Sequence, residues 1–272
     1  MNINKHLILL FSVLFFLFAV SVSSGCFRKN ESDVKSVVRN ELDQLKNLDS
    51  ETTQKYIPYT ELFPDATENT DLTDEINKTF SLFFRKFNYK ISDVIVGTTN
   101  HSATVSVKLT TIDSKVLARD FKAELLRTQI TEAAQAQKGN IKDSSRSLEA
   151  HYLILNHLLN TNDYDTAETD CNIQLVNTGN DKKEKWKIQR TNSLEDDLVG
   201  GLIADLADPD ILSPEDTLTV YLDTLQKLDL KEMTSYLGVV NIMNTSDTAK
   251  NSIASALAEQ IHNCLLYTSD AA

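Results

Sequence analysis

The chain has 272 residues, 41% hydrophobic and 24% charged. That composition folds rather than stays disordered, and the length suits one large domain or two ordinary ones. Its 27 Lys and Arg against 39 Asp and Glu leave a formal charge of −12, which repels nucleic acid and anionic membrane surfaces, so no nucleic-acid partner is expected.

The amino-terminal stretch places Lys5 before an apolar run from Leu7 to Val22 that ends in Ser23-Ser24-Gly25-Cys26. A short charged region, an apolar run and small residues form the layout of a secretory signal. The last four residues resemble the lipobox of bacterial lipoproteins, with Ser23 where that family usually has Leu. The resemblance implies that the Cys26 thiol takes a diacylglyceryl group and becomes the first mature residue. Two acyl chains hold a protein stably on a membrane. Expected are a signal over residues 1–25, an anchor linker over 26–32, and a location on the extracytoplasmic side of the cell membrane. An uncleaved membrane helix and ordinary secretory cleavage are the alternatives.

From Asp33 onward, Val34, Val37, Val38, Leu42, Leu45 and Leu48 recur at spacings of three and four, the stripe of an amphipathic helix. Asp49-Ser50 stops it and caps a short second helix towards Tyr56. Pro58 and Pro64 bracket a loop, and a third helix from Thr73 carries Ile76, Phe80, Phe83, Phe84 and Phe87. The period then changes to alternation: Tyr89, Ile91, Val94 and Val96 predict one strand, and Ala103, Val105, Val107 and Leu109 a second. A helix from Val116 to Lys138 and another from Ser144 or Ser145 to Leu159 interrupt the sheet. It resumes as a hairpin over residues 171–189, with Cys171, Ile173 and Leu175 on one arm and Trp186 and Ile188 on the other. The acidic segment Leu194–Leu206, around Gly200-Gly201, closes the module. Helices covering one face of an antiparallel sheet make the expected class α+β.

The segment Val34–Ile57 has an echo 180 positions later: Leu42, Asp43, Leu45, Leu48, Asp49 and Tyr56 recur as Leu222, Asp223, Leu225, Leu228, Asp229 and Tyr236. A common offset with apolar positions in phase predicts a duplicated module. Pro209 and Pro214 mark the junction, and Pro214 opens the repeated helix. The expected division is a first domain over 33–207, with a helical insertion over about 116–160, and the opening helices of a second copy over 208–263. Residues 264–272, CLLYTSDAA, resemble the translation of a sequencing adapter and are set apart as an artefact. Three helices without their sheet are expected to leave apolar stripes uncovered.

The repeated helix, the short second helix, the third helix beside strands, and the run Lys185-Trp186-Lys187-Ile188 followed by Leu198–Ile203 resemble tandem domains of unknown function in lipoproteins of Gram-positive bacteria, the Firmicutes. Those domains resemble the nuclear transport factor 2-like (cystatin-like) cone, which is also seen in ketosteroid isomerase. The resemblance implies helices on a curved antiparallel sheet, and it carries over no catalytic residue.

Chemistry-bearing residues are scattered. His151 and His157 lie six apart, unlike two ligands on one helical face, and read as surface or packing histidines. Glu195, Asp196 and Asp197 form an acidic run at a helix start, where such charges usually offset the helix dipole. A cone isomerase needs a buried carboxylate with a hydroxyl donor; Tyr89, Tyr152, Asp93 and Asp113 are candidates that nothing in the sequence orders into a site. Trp186 reads as sheet core. With Cys26 and Cys264 set aside, Cys171 reads as a buried thiol without an internal disulfide partner. Lipid attachment at Cys26 is therefore the one site assigned, with no catalytic, metal or cofactor residue. The expected role is a non-enzymatic lipoprotein that binds a small molecule or protein, or serves an envelope complex. A cone-pocket isomerase or dehydratase and a structural spacer are the alternatives.

Overall fold

The computed structural model describes residues 30–57, 62–64, 66, 72–97, 101–135, 144–179 and 184–229, with isolated positions between 232 and 263. The expected export signal, Cys26 and the adapter-like tail lie outside the described residues. The chain is α+β, with a four-stranded antiparallel sheet whose strands lie side by side in the order in which they occur along the sequence. Its described residues form two compact units that interleave along the sequence: those within 30–56, 86–111 and 168–200 in one, those within 57–85, 112–167 and 201–263 in the other.

The sheet unit begins with α1, residues 30–46, whose Val34, Val38, Leu42 and Leu45 are buried as the stripe predicts. Each such side chain contributes about 1.5–3 kcal/mol relative to exposure. Leu48 departs from the stripe. Its φ of 61° places it in the left-handed region, where it ends the helix, and Asp49 N–H reaches back to the Gln44 carbonyl at 3.0 Å. The side chain consequently points outward, 37% exposed. Asp49 then caps α2, Ser50–Tyr56, its Oδ2 accepting from Thr52 N–H at 2.9 Å.

β1 (Asn88–Val96) and β2 (Ser102–Ile112) pair antiparallel, with a bulge between Ile91 and Asp93. The bulge explains the spacing in β1: Tyr89 and Ile91 share the partly buried side with Val94 and Val96 because one extra residue, Ser92, resets the alternation. In β2 the alternation is regular, with Ala103, Val105, Val107 and Leu109 buried. β3 (Thr166–Asn177) buries Cys171, Ile173 and Leu175 and pairs with β4 (Trp186–Ile188). The opposite face is polar and cross-linked: Thr104 Oγ1 bonds Gln174 Oε1 at 2.9 Å and Ser106 Oγ bonds Asn172 Oδ1 at 2.8 Å. Lys108 lies 3.1 Å from Glu168 on the same face. The unit closes with α6, Asn192–Leu198, capped by Thr191. Gly200, at φ 68°, follows; a Cβ there would meet Thr111 Oγ1 at 2.2 Å, so the position requires glycine.

The helical unit contains α3 (Thr73–Phe83), α4 (Ser114–Gln135), α5 (Leu148–Thr161), α7 (Leu202–Ala207) and α8 (Pro214–Lys227). The sequence suggests a Ser144 or Ser145 start for α5. Those residues instead form a 3-10 turn, and the cap is Ser147, whose hydroxyl accepts from Ala150 N–H. α3 packs on α5, where Asn156 Nδ2 bonds the Glu75 carbonyl at 3.1 Å. Residues 201–229, on both sides of the boundary expected at 207/208, belong to this unit. The apolar stripe of α8 is covered at its C-terminal end only, Leu218 being 57% exposed. Leu225, Leu228 and Met233 form a buried cluster with Ile130 and Ala134 of α4, because a stripe without a sheet of its own gains the same burial on a helix.

Candidate functional site

The helical unit carries a cavity of ≈ 230 Å³ that opens to the surface. Phe121, Lys122 and Leu125 reach it from α4, and Ile203, Leu206 and Ala207 from α7. In both helices these residues are one, three or four apart and so share a face. Leu62, Phe63, Pro64 and Ala66 form another wall, and His151 of α5 completes the lining. α7 is fixed against the start of α4 by Ser114 Oγ, 2.7 Å from Asp205 Oδ2. Its first turn follows Gly201, whose φ of 91° is accessible to glycine.

Phe63 organises the interior. Its ring stacks on Phe121 at 5.1 Å, tilts over His151 at 4.7 Å and meets the edge of Tyr152 at 5.6 Å. Burial pushes the His151 imidazole below its ordinary value; a hydrogen bond with the Ser145 backbone opposes this, and the Lys122 charge adds to it. Ser145 is in turn positioned by its N–H, which donates to Glu132 Oε2 at 3.1 Å. His151 Nδ1 is buried without a hydrogen-bond partner among the described residues.

The candidates read from sequence lie elsewhere. Tyr89 donates its hydroxyl to Asp43 Oδ1 at 2.6 Å, and burial, followed by that carboxylate, pushes its pKa up to about 12. Asp93 is exposed on β1. Asp113 Oδ1 accepts from Val116 N–H at 3.2 Å at the start of α4. Tyr152 is fully buried between Phe63 and Phe80. Thus Tyr89 and Asp93 belong to the sheet unit, and Tyr152 and Asp113 to the helical one. The acidic run at α6 is consumed locally: buried Glu195 pairs with Arg190, and Asp197 with the Cys171 thiol. Burial, then Asp197, raises that thiol to about 12, the behaviour of an inert core cysteine. Trp186 is buried, its indole N–H 3.2 Å from Glu184 Oε2. Of the two histidines, His157 is exposed and His151 faces the cavity. Among the described residues no three metal-ligating side chains converge.

Sequence reading missed the cavity because its walls come from four separate segments. The one local signal was Phe121, Lys122 and Leu125 on a shared helical face. Comparison with protein families, curated proteins and solved structures finds no match for this chain.

Proposed function

We propose that the chain is an extracytoplasmic lipoprotein, anchored through Cys26, whose helical unit binds a small, largely apolar molecule without transforming it. The observation that carries the binding role is the ≈ 230 Å³ cavity, with aromatic and aliphatic walls and, among its described residues, Lys122 and His151 as the ionisable lining. Binding sites of this kind combine apolar walls with a few placed polar groups. Among its described residues the lining offers neither a carboxylate nor a hydroxyl, so a cone-isomerase reading gains no acid–base pair from them.

The antiparallel sheet, polar on one face and buried on the other, supports reading 33–207 as a nuclear transport factor 2-like cone with a helical insertion. A duplicated module is supported by a repeated cap. Asp49 accepts from Thr52 N–H at 2.9 Å, and Asp229, 180 positions on, accepts from Glu232 N–H at 2.7 Å.

Titration of the purified chain with naphthalene-2-methanol, followed by its own fluorescence, tests the binding role. Saturable one-to-one binding is expected, and Ala207→Trp, which places an indole at an exposed position of the lining, should abolish it while leaving the circular dichroism unchanged. Binding that does not saturate, or that survives Ala207→Trp, would refute the reading. For the anchor, Cys26→Ala in a Gram-positive host should block incorporation of a labelled fatty acid and move the protein out of the membrane fraction. Unchanged labelling would rule out attachment at Cys26.

A further inference from the structure

We infer that acid opens the wall of this cavity: protonation of His151, whose Nδ1 is shut away among aromatic rings, drives the imidazole out of its place, so that the cavity lets its ligand go as the pH falls. The inference rests on the binding role proposed above and supplies its regulation. His151 lines the cavity from α5, with Phe63 at 4.7 Å and Phe121 at 5.6 Å. Its Nδ1 is buried and has no hydrogen-bond partner among the described residues. A neutral imidazole tolerates such a site, because only one of its nitrogens carries a proton. The imidazolium carries a proton on both, so its Nδ1–H becomes a buried, charged donor without an acceptor, whichever nitrogen holds the proton in the neutral ring. A charged donor left unmade costs more than a neutral one. The faces of Phe63 and Phe121 attract a cation, but weakly beside the hydration it gives up.

The surrounding charges give the proton little help. From α4, Lys122 repels a second positive charge on the imidazole, and Glu132 of the same helix is engaged with Ser145 N–H at 3.1 Å. The 3-10 turn brings the Ser145 backbone, which favours the proton, and the exposed Arg146. The segment with Phe63 and Pro64 and helix α7 line the cavity without a titratable side chain among the described residues. On α5 itself Glu149 is exposed. Burial, with Lys122, outweighs Ser145 and holds the imidazole below its ordinary value of about 6.5. A closed wall therefore binds fewer protons than an open one, and acid favours opening. Ligand affinity is level around neutral pH and falls by up to tenfold per pH unit below the depressed pKa. Because the residue is only partly buried, its ring can turn outward about its own side-chain bonds without loss of α5.

The test is fluorescence titration of the purified chain with naphthalene-2-methanol, which stays uncharged throughout, at half-unit steps from pH 7.5 to pH 4.5, with circular dichroism at each step. Affinity should be at least tenfold weaker at pH 4.5 than at pH 7.5 while the helical signal persists. His151→Phe, which fills the same place without titrating, should keep its affinity within twofold across the range. Nuclear magnetic resonance of the histidine rings needs no variant: the His151 resonance should titrate below pH 6.5 and, in the same step, lose the ring-current displacement that Phe63 and Phe121 impose. Four results would each overturn the switch and leave the cavity's binding role standing: affinity independent of pH, a pH dependence retained in His151→Phe, affinity lost only together with the helical signal, or an imidazole that takes its proton with the displacement intact. Absence of saturable binding at pH 7.5 would instead remove that binding role.

Discussion

Leu48 shows how one backbone angle decides the fate of a side chain. It and Leu228 occupy equivalent places in the two sequence repeats, yet Leu48 has φ 61° and is 37% exposed, while Leu228, in an extended conformation at φ −69°, is 6% exposed. A branched residue in the left-handed region carries strain of about 1–2 kcal/mol. Glycine removes that strain and gives back part of the gain through its more mobile unfolded chain. Leu48→Gly is therefore expected to stabilise the protein by about 0.5–1 kcal/mol, read as a higher denaturant midpoint with unchanged slope. A lower midpoint would mean that the leucine side chain makes contacts worth more than its backbone costs. Nothing in the sequence distinguishes Leu48 from Leu228, since both continue a stripe of threes and fours; the conformation is set by how each helix ends.

At the scale of elements, sequence periodicity and chain breakers located most of the structure. The α1 stripe, the regular alternation of β2 and the hairpin of β3 with β4 all follow from local spacing. Even the irregular step in β1 was visible as a gap of three between Ile91 and Val94, although only the paired strand identifies it as a bulge. The start of α5 was misplaced because Ser144, Ser145 and Ser147 are equally good caps in isolation, and only the 3-10 turn before it selects Ser147. Caps also carry a testable load. Asp229 bonds Glu232 N–H and, through its carbonyl, Met233 N–H at 2.9 Å, holding the fully buried Met233 in its cluster. Asp229→Ala should cost about 1 kcal/mol, whereas Asp229→Asn, an equally good cap, should cost a few tenths or less. Equal losses for both in urea unfolding would show that charge rather than capping matters there.

Across the whole molecule, the α+β class was legible because period and element order are local properties. The cavity was not, because Phe63, Phe121, His151 and Leu206 are brought together only by long-range packing. The covering of α8 was also illegible for a physical reason: an apolar stripe states that it needs a partner, and both a sheet and the face of α4 that bears Ile130 and Ala134 satisfy it equally. The bulge in β1 has a consequence for how copies of the protein behave towards each other. β1 is an edge strand, and a straight nine-residue edge would offer a template for pairing with a neighbour's strand. The extra residue at Ser92 breaks that template into two four-residue runs, Asn88 to Ile91 and Asp93 to Val96. Exposed Lys90 and Asp93 flank the break. At high concentration the edge is thereby guarded against edge-to-edge aggregation.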